Sequence, residues 1–142
     1  MNENDLVVKK TIQIEQKKVF EAWIDPASMA RWCCPIAGGH SEVECDAREG
    51  GKFKIDMISP DGETVPHWGV YQTVDPHNLL EFSWNSPHAT DTMVRVEFKA
   101  ISGGTEITLI HSGLPTDKAR SGHRDGWNSI LERFADNFAT VN

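Results

Sequence analysis

One long amphipathic segment near the C-terminal end, residues 116–138, constrains the fold of this chain more than any other feature. Its large apolar side chains recur at helical spacing and form one stripe: Trp127, Ile130, Leu131, Phe134 and Phe138. His123 lies four positions before Trp127 and belongs to the same stripe. A lone long helix that follows a run of strands buries its stripe against the sheet, because there is little else for it to cover. A helix laid across a curved sheet can leave a cavity beneath it, and there we expect the function.

The preceding part of the chain is dominated by apolar residues at every second position, the pattern of strands with one buried face. Residues 6–14 predict a first strand, followed by two short helical stretches, residues 17–24 and a second one that reaches Trp32. Six further strands with short turns then lead to His111. This order predicts a single α+β domain, residues 1–142, with the helix-grip fold. In that fold a curved antiparallel sheet wraps around a long C-terminal helix, here with two short helices after the first strand.

Three local patterns make finer predictions. Asp25 followed by Pro26 is typical of a helix start, with aspartate as the N-cap and proline at the first helical position. The apolar alternation slips between Tyr71 and Val74, which predicts a β-bulge. The polar run of residues 85–90 predicts a loop between two strands.

Charge and composition exclude several classes of partner. The 142 residues include 14 basic and 21 acidic ones, a net charge of −7, and no basic cluster, so we do not expect nucleic acid to bind. No apolar run is long enough for a membrane span. The polar, acidic start of the chain does not resemble a secretory signal, so we expect a cytoplasmic protein.

The three cysteines, Cys33, Cys34 and Cys45, show no disulfide framework. A metal site at the adjacent pair would need further ligands, and His40 is the only nearby candidate. Because neither a CxxC nor an HxxxH pattern is present, we predict no metal site and no cofactor. Cys45 occupies an apolar strand position and is expected to be a small core residue.

The candidate site consists of residues on the inferred inner faces of the sheet and on the helix stripe. His111 shares its strand face with Ile107 and Leu109, so it either hydrogen-bonds within the structure or orients a ligand and transfers protons. His123 is either a helix-surface residue or the second polar group that catalysis would need. The predicted ligand-binding set is Trp68, Tyr71, Phe82, Trp84, Val96, Leu109, His111, His123, Trp127 and Leu131.

Two other residues of the terminal segment are interpreted differently. Gly126, beside Trp127, is costly inside a helix and either allows a close approach to the sheet or kinks the helix and widens the cavity. Arg133 is placed among the solvated charges of the helix surface.

An ordered set of short segments carries a resemblance to a known family. These segments are Val19-Phe20-Glu21-Ala22-Trp23, Asp25-Pro26, Arg31-Trp32, Pro35, Arg48-Glu49-Gly50-Gly51-Lys52-Phe53, Asp61-Gly62, Gly69, Val74-Asp75-Pro76, Leu80-Glu81-Phe82-Ser83-Trp84, Gly104-Thr105, His111-Ser112-Gly113-Leu114, Gly126-Trp127, Leu131 and Phe134. The chain resembles the activator-of-Hsp90-ATPase-homologue-1-like proteins of the START/Bet v 1 superfamily. The resemblance implies a helix-grip domain and small-ligand binding, since superfamily relatives include lipid carriers, hormone and allergen binders and polyketide cyclases. Members usually carry an aromatic residue beside the position of Trp32, where this chain has Cys33-Cys34, and this changes the predicted cavity mouth.

Three functions are therefore weighed. The first is a binding protein for a small hydrophobic or amphipathic molecule, which it would sequester, carry or sense. The second is a cyclase-, hydrolase- or isomerase-type enzyme that uses His111, with His123 as a further candidate. The third is a partner module for an Hsp90-type chaperone, which we disfavour because the family name belongs to a larger eukaryotic protein with a second domain. A homodimer is a possible assembly.

Overall fold

The computed structural model describes residues 5–139, the last of them by its backbone alone, and its elements follow the predicted order. Within that range the helices are α1 (Gln16–Ala22), α2 (Pro26–Trp32) and α3 (Asp117–Ala139). The strands are β1 (Leu6–Ile12), β2 (His40–Cys45), β3 (Lys52–Ile58), β4 (Thr64–Asp75), β5 (Leu79–Ser86), β6 (Ala89–Ile101) and β7 (Gly104–Ser112).

All seven of these strands belong to one antiparallel sheet in the order β1-β7-β6-β5-β4-β3-β2. Strands β2 to β7 form a meander, and β1 pairs with β7, with Leu6 opposite His111 and Ile12 opposite Thr105. The sheet curls around α3 as a half-barrel, while α2 packs against β2 and α3 and α1 packs against β6 and β7. The predicted helix-grip fold is confirmed.

The predicted bulge is confirmed on β4, where the register with β5 shifts between Tyr71 and Thr73. Tyr71 lies opposite Phe82 and Thr73 lies opposite Glu81, so β4 carries one extra residue, Gln72. An extra residue on one strand bends it and increases the local twist, which helps a sheet to curl. A second shift, between Trp84 and Ser86 where β5 pairs with β6, lies beside the cavity described below.

The C-terminal half of α3 packs tightly into the core. Trp127, Ile130, Leu131 and Phe134 are buried, as the helix stripe predicts, and Phe138 is half-buried. Phe134 packs edge-on against Trp32 of α2, with ring centroids 4.8 Å apart. Each fully buried side chain of this kind stabilises the fold by roughly 1.5–3 kcal/mol. This packing fixes the axis of α3, so the first half of the helix is held opposite the ends of β3, β4 and β5.

Two of the local predictions need correction. Asp25 and Pro26 do begin α2, but the Asp25 side chain makes no capping hydrogen bond. The predicted loop over residues 85–90 shrinks to Pro87 and His88, because β5 extends to Ser86 and β6 begins at Ala89. Polar side chains close this hairpin: the Asp91 amide donates to the Asn85 Oδ1 atom at 2.7 Å.

Candidate functional site

A cavity of about 500 Å³ lies between the first half of α3 and the sheet. Its lining comes from α3, from the ends of β3 to β5, from the turn that carries His88 and from the loop after α2. The lining residues are Pro35, Ile36, Met57, Val65, His67, Trp84, His88, Thr116, Lys118, Ala119, Gly122, His123, Gly126, Trp127 and Ile130. The exposed members Ile36, His88, Thr116, Lys118 and Gly122 mark the mouth of the cavity. The volume is within the range of small-molecule sites.

The cavity exists because α3 presents small residues to it. Ala119, Gly122 and Gly126 follow one another at helical spacing on the lining face. A Cβ atom at Gly122 would meet nothing within 4 Å, and one at Gly126 would meet only the Pro35 side chain, at 3.9 Å. Neither glycine therefore serves a close approach of the helix to the sheet. Their missing side chains leave space, in agreement with a wider cavity.

Trp84 of β5 and Trp127 of α3 form the inner wall of the cavity, with ring centroids 5.0 Å apart and both side chains buried. Behind them lies a void of about 20 Å³, which Tyr71 and Phe82 also line. Trp23 and Trp84 both border that void, and their indole N–H groups have no hydrogen-bond acceptor among residues 5–139. The two tryptophans of the inner wall thus separate a large cavity from a small internal one.

His111 is a structural residue behind this wall, because both ring nitrogens are engaged and the side chain is 0% exposed. An indole N–H can only donate, so the Trp127 Nε1 atom donates to the His111 Nδ1 atom at 3.0 Å. The Thr92 hydroxyl donates to the Trp84 carbonyl oxygen at 2.6 Å. The Thr92 oxygen therefore accepts from the His111 Nε2 atom at 2.8 Å. These bonds assign a neutral imidazole that carries its proton on Nε2.

Burial makes His111 and His67 poor proton acceptors. Burial, and to a lesser degree His123, lowers the pKa of His111 to about 3. Burial also lowers the pKa of His67 to about 4, although its Nδ1 atom donates to the Val65 carbonyl at 3.1 Å. Both imidazoles are therefore neutral near pH 7. His67 lines the cavity, whereas His111 does not.

His123 is the imidazole of α3 that lines the cavity. Its Nδ1 atom donates to the Ala119 carbonyl one turn earlier, at 2.8 Å. Its ring packs edge-on against His111, with centroids 5.1 Å apart. Because Nδ1 carries the proton in the neutral ring, Nε2 is the acceptor nitrogen of that ring.

Arg133 holds the loop that forms one rim of the cavity. Its guanidinium donates to the carbonyl oxygens of Cys34 at 2.6 Å, Ile36 at 3.0 Å and Gly39 at 2.9 Å. Pro35 and Ile36, which line the cavity, lie between these anchor points. Arg133 is thus a positioning residue, and its assignment to the solvated helix surface was wrong.

The three cysteines are free thiols. Cys33 and Cys34 are buried, and burial raises the pKa of Cys33 to about 12, so this thiol is a weak nucleophile. Cys45 is half-buried, and its thiol donates to the Ile24 carbonyl at 3.4 Å. Across residues 5–139, no three histidine, cysteine or carboxylate side chains come together as a metal site would require.

The sequence also matches a known family along most of its length. Residues 13–139 fit the family model described as activator of Hsp90 ATPase homolog 1-like protein. The chain belongs to this family. The resemblance found in the sequence is confirmed, and with it the membership of the START/Bet v 1 (SRPBCC) superfamily, whose fold commonly binds hydrophobic ligands. No curated protein is similar enough in sequence to match the chain.

Solved structures share this AHSA1-like fold. A protein from Chromobacterium violaceum has a TM-score of 0.86 at 21% identity, over 95% of this chain and 96% of its own. An AHSA1-like protein from Aeromonas hydrophila has a TM-score of 0.85 at 24% identity, over 96% and 93%. DynU16, a protein of the dynemicin biosynthetic locus, has a TM-score of 0.81 at 20% identity, over 99% of this chain and 49% of its own. At these identities the likeness shows the fold.

Within this AHSA1-like fold the predicted ligand-binding residues fall into four groups. Trp84, His123 and Trp127 line the cavity, while Tyr71 and Phe82 line the small void. Val96, Leu109, His111 and Leu131 are packed in the core. Trp68 lies on the outer face of β4 with 44% of its surface exposed, so the prediction that it borders the cavity is corrected.

Several lining residues were missed by sequence reasoning. His67 could have been found by alternation, because it shares a strand face with Gly69 and Tyr71, whereas Trp68 has the opposite parity. His88 was missed because the turn was predicted as a longer loop. Gly122 carries no side chain, so a search for large apolar residues overlooks it.

Among the described residues, no helix is both long enough and apolar enough to cross a membrane.

Proposed function

We propose that this protein binds a small hydrophobic or amphipathic molecule in the cavity beneath α3. The observation that carries the proposal is the helix face of Ala119, Gly122 and Gly126, which leaves about 500 Å³ of space against an apolar wall. The proposal is also supported by the superfamily, whose fold commonly binds hydrophobic ligands. The similarity to DynU16, a protein of a biosynthetic locus, supports a small-molecule context.

The cost of two glycines inside α3 also supports a role for the cavity. Glycine in a helix interior costs about 1 kcal/mol relative to alanine. A Cβ atom would fit at both Gly122 and Gly126 without a contact shorter than 3.9 Å. Two glycines one turn apart therefore lower helix stability and relieve no clash, and the feature they provide is volume.

Binding is favoured over the enzymatic alternative that rests on His111. Both nitrogens of that imidazole are hydrogen-bonded within the fold, and the side chain is fully buried. Of the two histidines predicted as acid–base candidates, His123 is the one that lines the cavity, and the predicted pair of imidazoles in one cavity is therefore not formed. The chaperone-partner alternative stays a prediction.

The test is to fill the cavity and measure binding of an uncharged probe. The native chain, Gly126→Leu and Asn128→Leu are each titrated with N-phenylnaphthylamine, and the fluorescence of the probe is measured. Asn128 is an exposed residue of the same helix outside the cavity lining, so its variant is a matched control for the added leucine. We expect the native chain and Asn128→Leu to bind alike, and Gly126→Leu to bind at least about tenfold more weakly, or about 1.4 kcal/mol.

Equal binding by Gly126→Leu would overturn the proposal, as would the absence of binding to the native chain by a panel of uncharged apolar probes. Circular dichroism and thermal unfolding establish that each variant is folded. Should Gly126→Leu fail to fold, Gly122→Leu places the same side chain one turn earlier, where a Cβ atom meets no neighbour within 4 Å.

A further inference from the structure

Each ionisable side chain that lines the cavity is a lysine or a histidine, whose charged form is positive. The whole chain has 21 acidic and 14 basic residues, yet none of the described residues that line the cavity is Asp or Glu. Four of the lining residues are basic or imidazole-bearing: His67, His88, Lys118 and His123. With histidines counted as neutral, Lys118 gives the lining a formal charge of +1, against −7 for the whole chain.

Lys118 keeps its charge available at the mouth of the cavity. It is exposed in the first turn of α3, and its neighbour Asp117 pairs with Arg120 instead. The first turn of a helix is the positive end of its dipole, which adds to the attraction for an anion. His88 is exposed on the turn between β5 and β6 and lines the same cavity.

The inner part of the cavity offers an apolar surface. Trp84, Trp127 and Ile130 are buried side chains with faces on the cavity, and Met57 extends this surface from β3. The cavity therefore has an apolar inner end and a mouth that carries positive charge and imidazole. Such an arrangement is complementary to a molecule with an apolar body and an acid group at one end.

We propose that the ligand is a small apolar carboxylic acid bound as its anion, with its body against Trp84 and Trp127 and its carboxylate at Lys118 and His88. This proposal deepens the proposed function and rests on it. The ammonium group of Lys118 donates to the carboxylate. Because Lys118 lies exposed at the mouth, the apolar end of the ligand enters the cavity first and the carboxylate stays at the mouth.

Three probes that share one ring system and differ in charge test the proposal. Naphthoate is an anion, naphthamide is neutral and naphthylmethylammonium is a cation, and their affinities near neutral pH are measured by quenching of tryptophan fluorescence. An exposed ion pair stabilises a contact modestly, so we expect naphthoate to bind about fivefold more tightly than naphthamide, and the cation most weakly. Added salt should narrow the difference between naphthoate and naphthamide.

Replacing the lysine assigns the effect to the mouth. Lys118→Met keeps an apolar stem and should reduce the ratio of the naphthoate affinity to the naphthamide affinity from about fivefold to about one. The control is Lys99→Met, an exposed lysine at the end of β6 away from the turn that carries His88, and it should bind naphthoate as the native chain does.

The outcomes separate the two proposals. If naphthamide and N-phenylnaphthylamine bind while naphthoate gains nothing or is excluded, the acid proposal falls and the cavity function stands. Retention of the full naphthoate preference by Lys118→Met also overturns the acid proposal. If the native chain binds neither N-phenylnaphthylamine nor naphthamide, the proposed function itself falls, and the acid proposal falls with it.

Discussion

Mild acid should destabilise this protein through His111, and the size of the effect follows from the structure. The folded imidazole has its pKa lowered to about 3 by burial, whereas an unfolded one has the ordinary value of about 6.5. Between these two pKa values the His111 imidazole is protonated in the unfolded state and neutral in the folded state, so acid favours unfolding. The stabilising contribution is complete above about pH 6.5, shrinks as the pH falls and stops shrinking only near the folded pKa.

The magnitude can be worked out for a modest change of pH. Each pH unit below 6.5 costs about 1.36 kcal/mol for a group that stays neutral when folded. At about pH 5 the deficit from His111 is therefore about 2 kcal/mol, a large share of the roughly 5–15 kcal/mol that stabilises a typical domain. His67, with a pKa of about 4, adds a similar deficit in the same interval.

Urea unfolding near pH 7 and near pH 5 measures this, with the native chain compared with two variants. His111→Gln removes the titrating group, so its loss of unfolding free energy between the two conditions should be about 2 kcal/mol smaller than that of the native chain. Thr92→Val is the control: it removes the hydroxyl bonded to the His111 Nε2 atom but keeps the buried imidazole. It should be less stable at both conditions and lose as much on acidification as the native chain.

The reasoning is refuted if His111→Gln and the native chain lose the same free energy between the two conditions. A second readout is independent of stability. Nitrogen chemical shifts of the imidazole should show a neutral ring with its proton on Nε2, as the bonds to Thr92 and Trp127 require. A protonated Nδ1 atom near pH 7 would contradict the assignment.

Three further predictions concern the helix and the cavity rim. Gly122→Ala should raise the free energy of unfolding by up to about 1 kcal/mol, because a Cβ atom there meets no neighbour; lower stability in urea unfolding would contradict this. Arg133→Met removes three hydrogen bonds to loop carbonyls and should cost about 2 kcal/mol, with faster amide exchange over residues 34–39; unchanged exchange there would show that the guanidinium does not hold the loop. Cys33, buried and with its pKa raised to about 12, should resist iodoacetamide near pH 8 until urea is added, and rapid labelling in the folded chain, detected by mass spectrometry, would disprove its burial.

Local pattern was sufficient for the architecture. The apolar spacing on α3, the alternation on the strands and the slip between Tyr71 and Val74 predicted a helix, a curled sheet and a bulge, and all three are present. These features depend on the period of a helix or a strand, which is written in neighbouring residues. The same logic failed for Trp68, where size was given more weight than strand parity.

The site depended on contacts between distant parts of the chain. Arg133 bonds to residues 94 to 99 positions away. His111 is neutral because the fold buries it, and Thr92 and Trp127 bond to its two nitrogens. Nothing in the spacing of these residues distinguishes a surface arginine from one that anchors a loop, or a catalytic histidine from a buried structural one. Hydrogen-bond partners at such separations are decided by packing.

The sequence by itself determined that a long helix must cover a curved sheet, since a stripe of buried side chains at helical spacing allows few other arrangements. Only the tertiary structure decided where that cover is complete and where it leaves space. Behind Trp127 the helix packs into the core, and ahead of it Gly122 and Gly126 stand over a cavity of about 500 Å³. The physical reason is that a cavity is the space left between residues that are distant in sequence. Its position and size depend on how those residues pack, which the local sequence pattern does not contain.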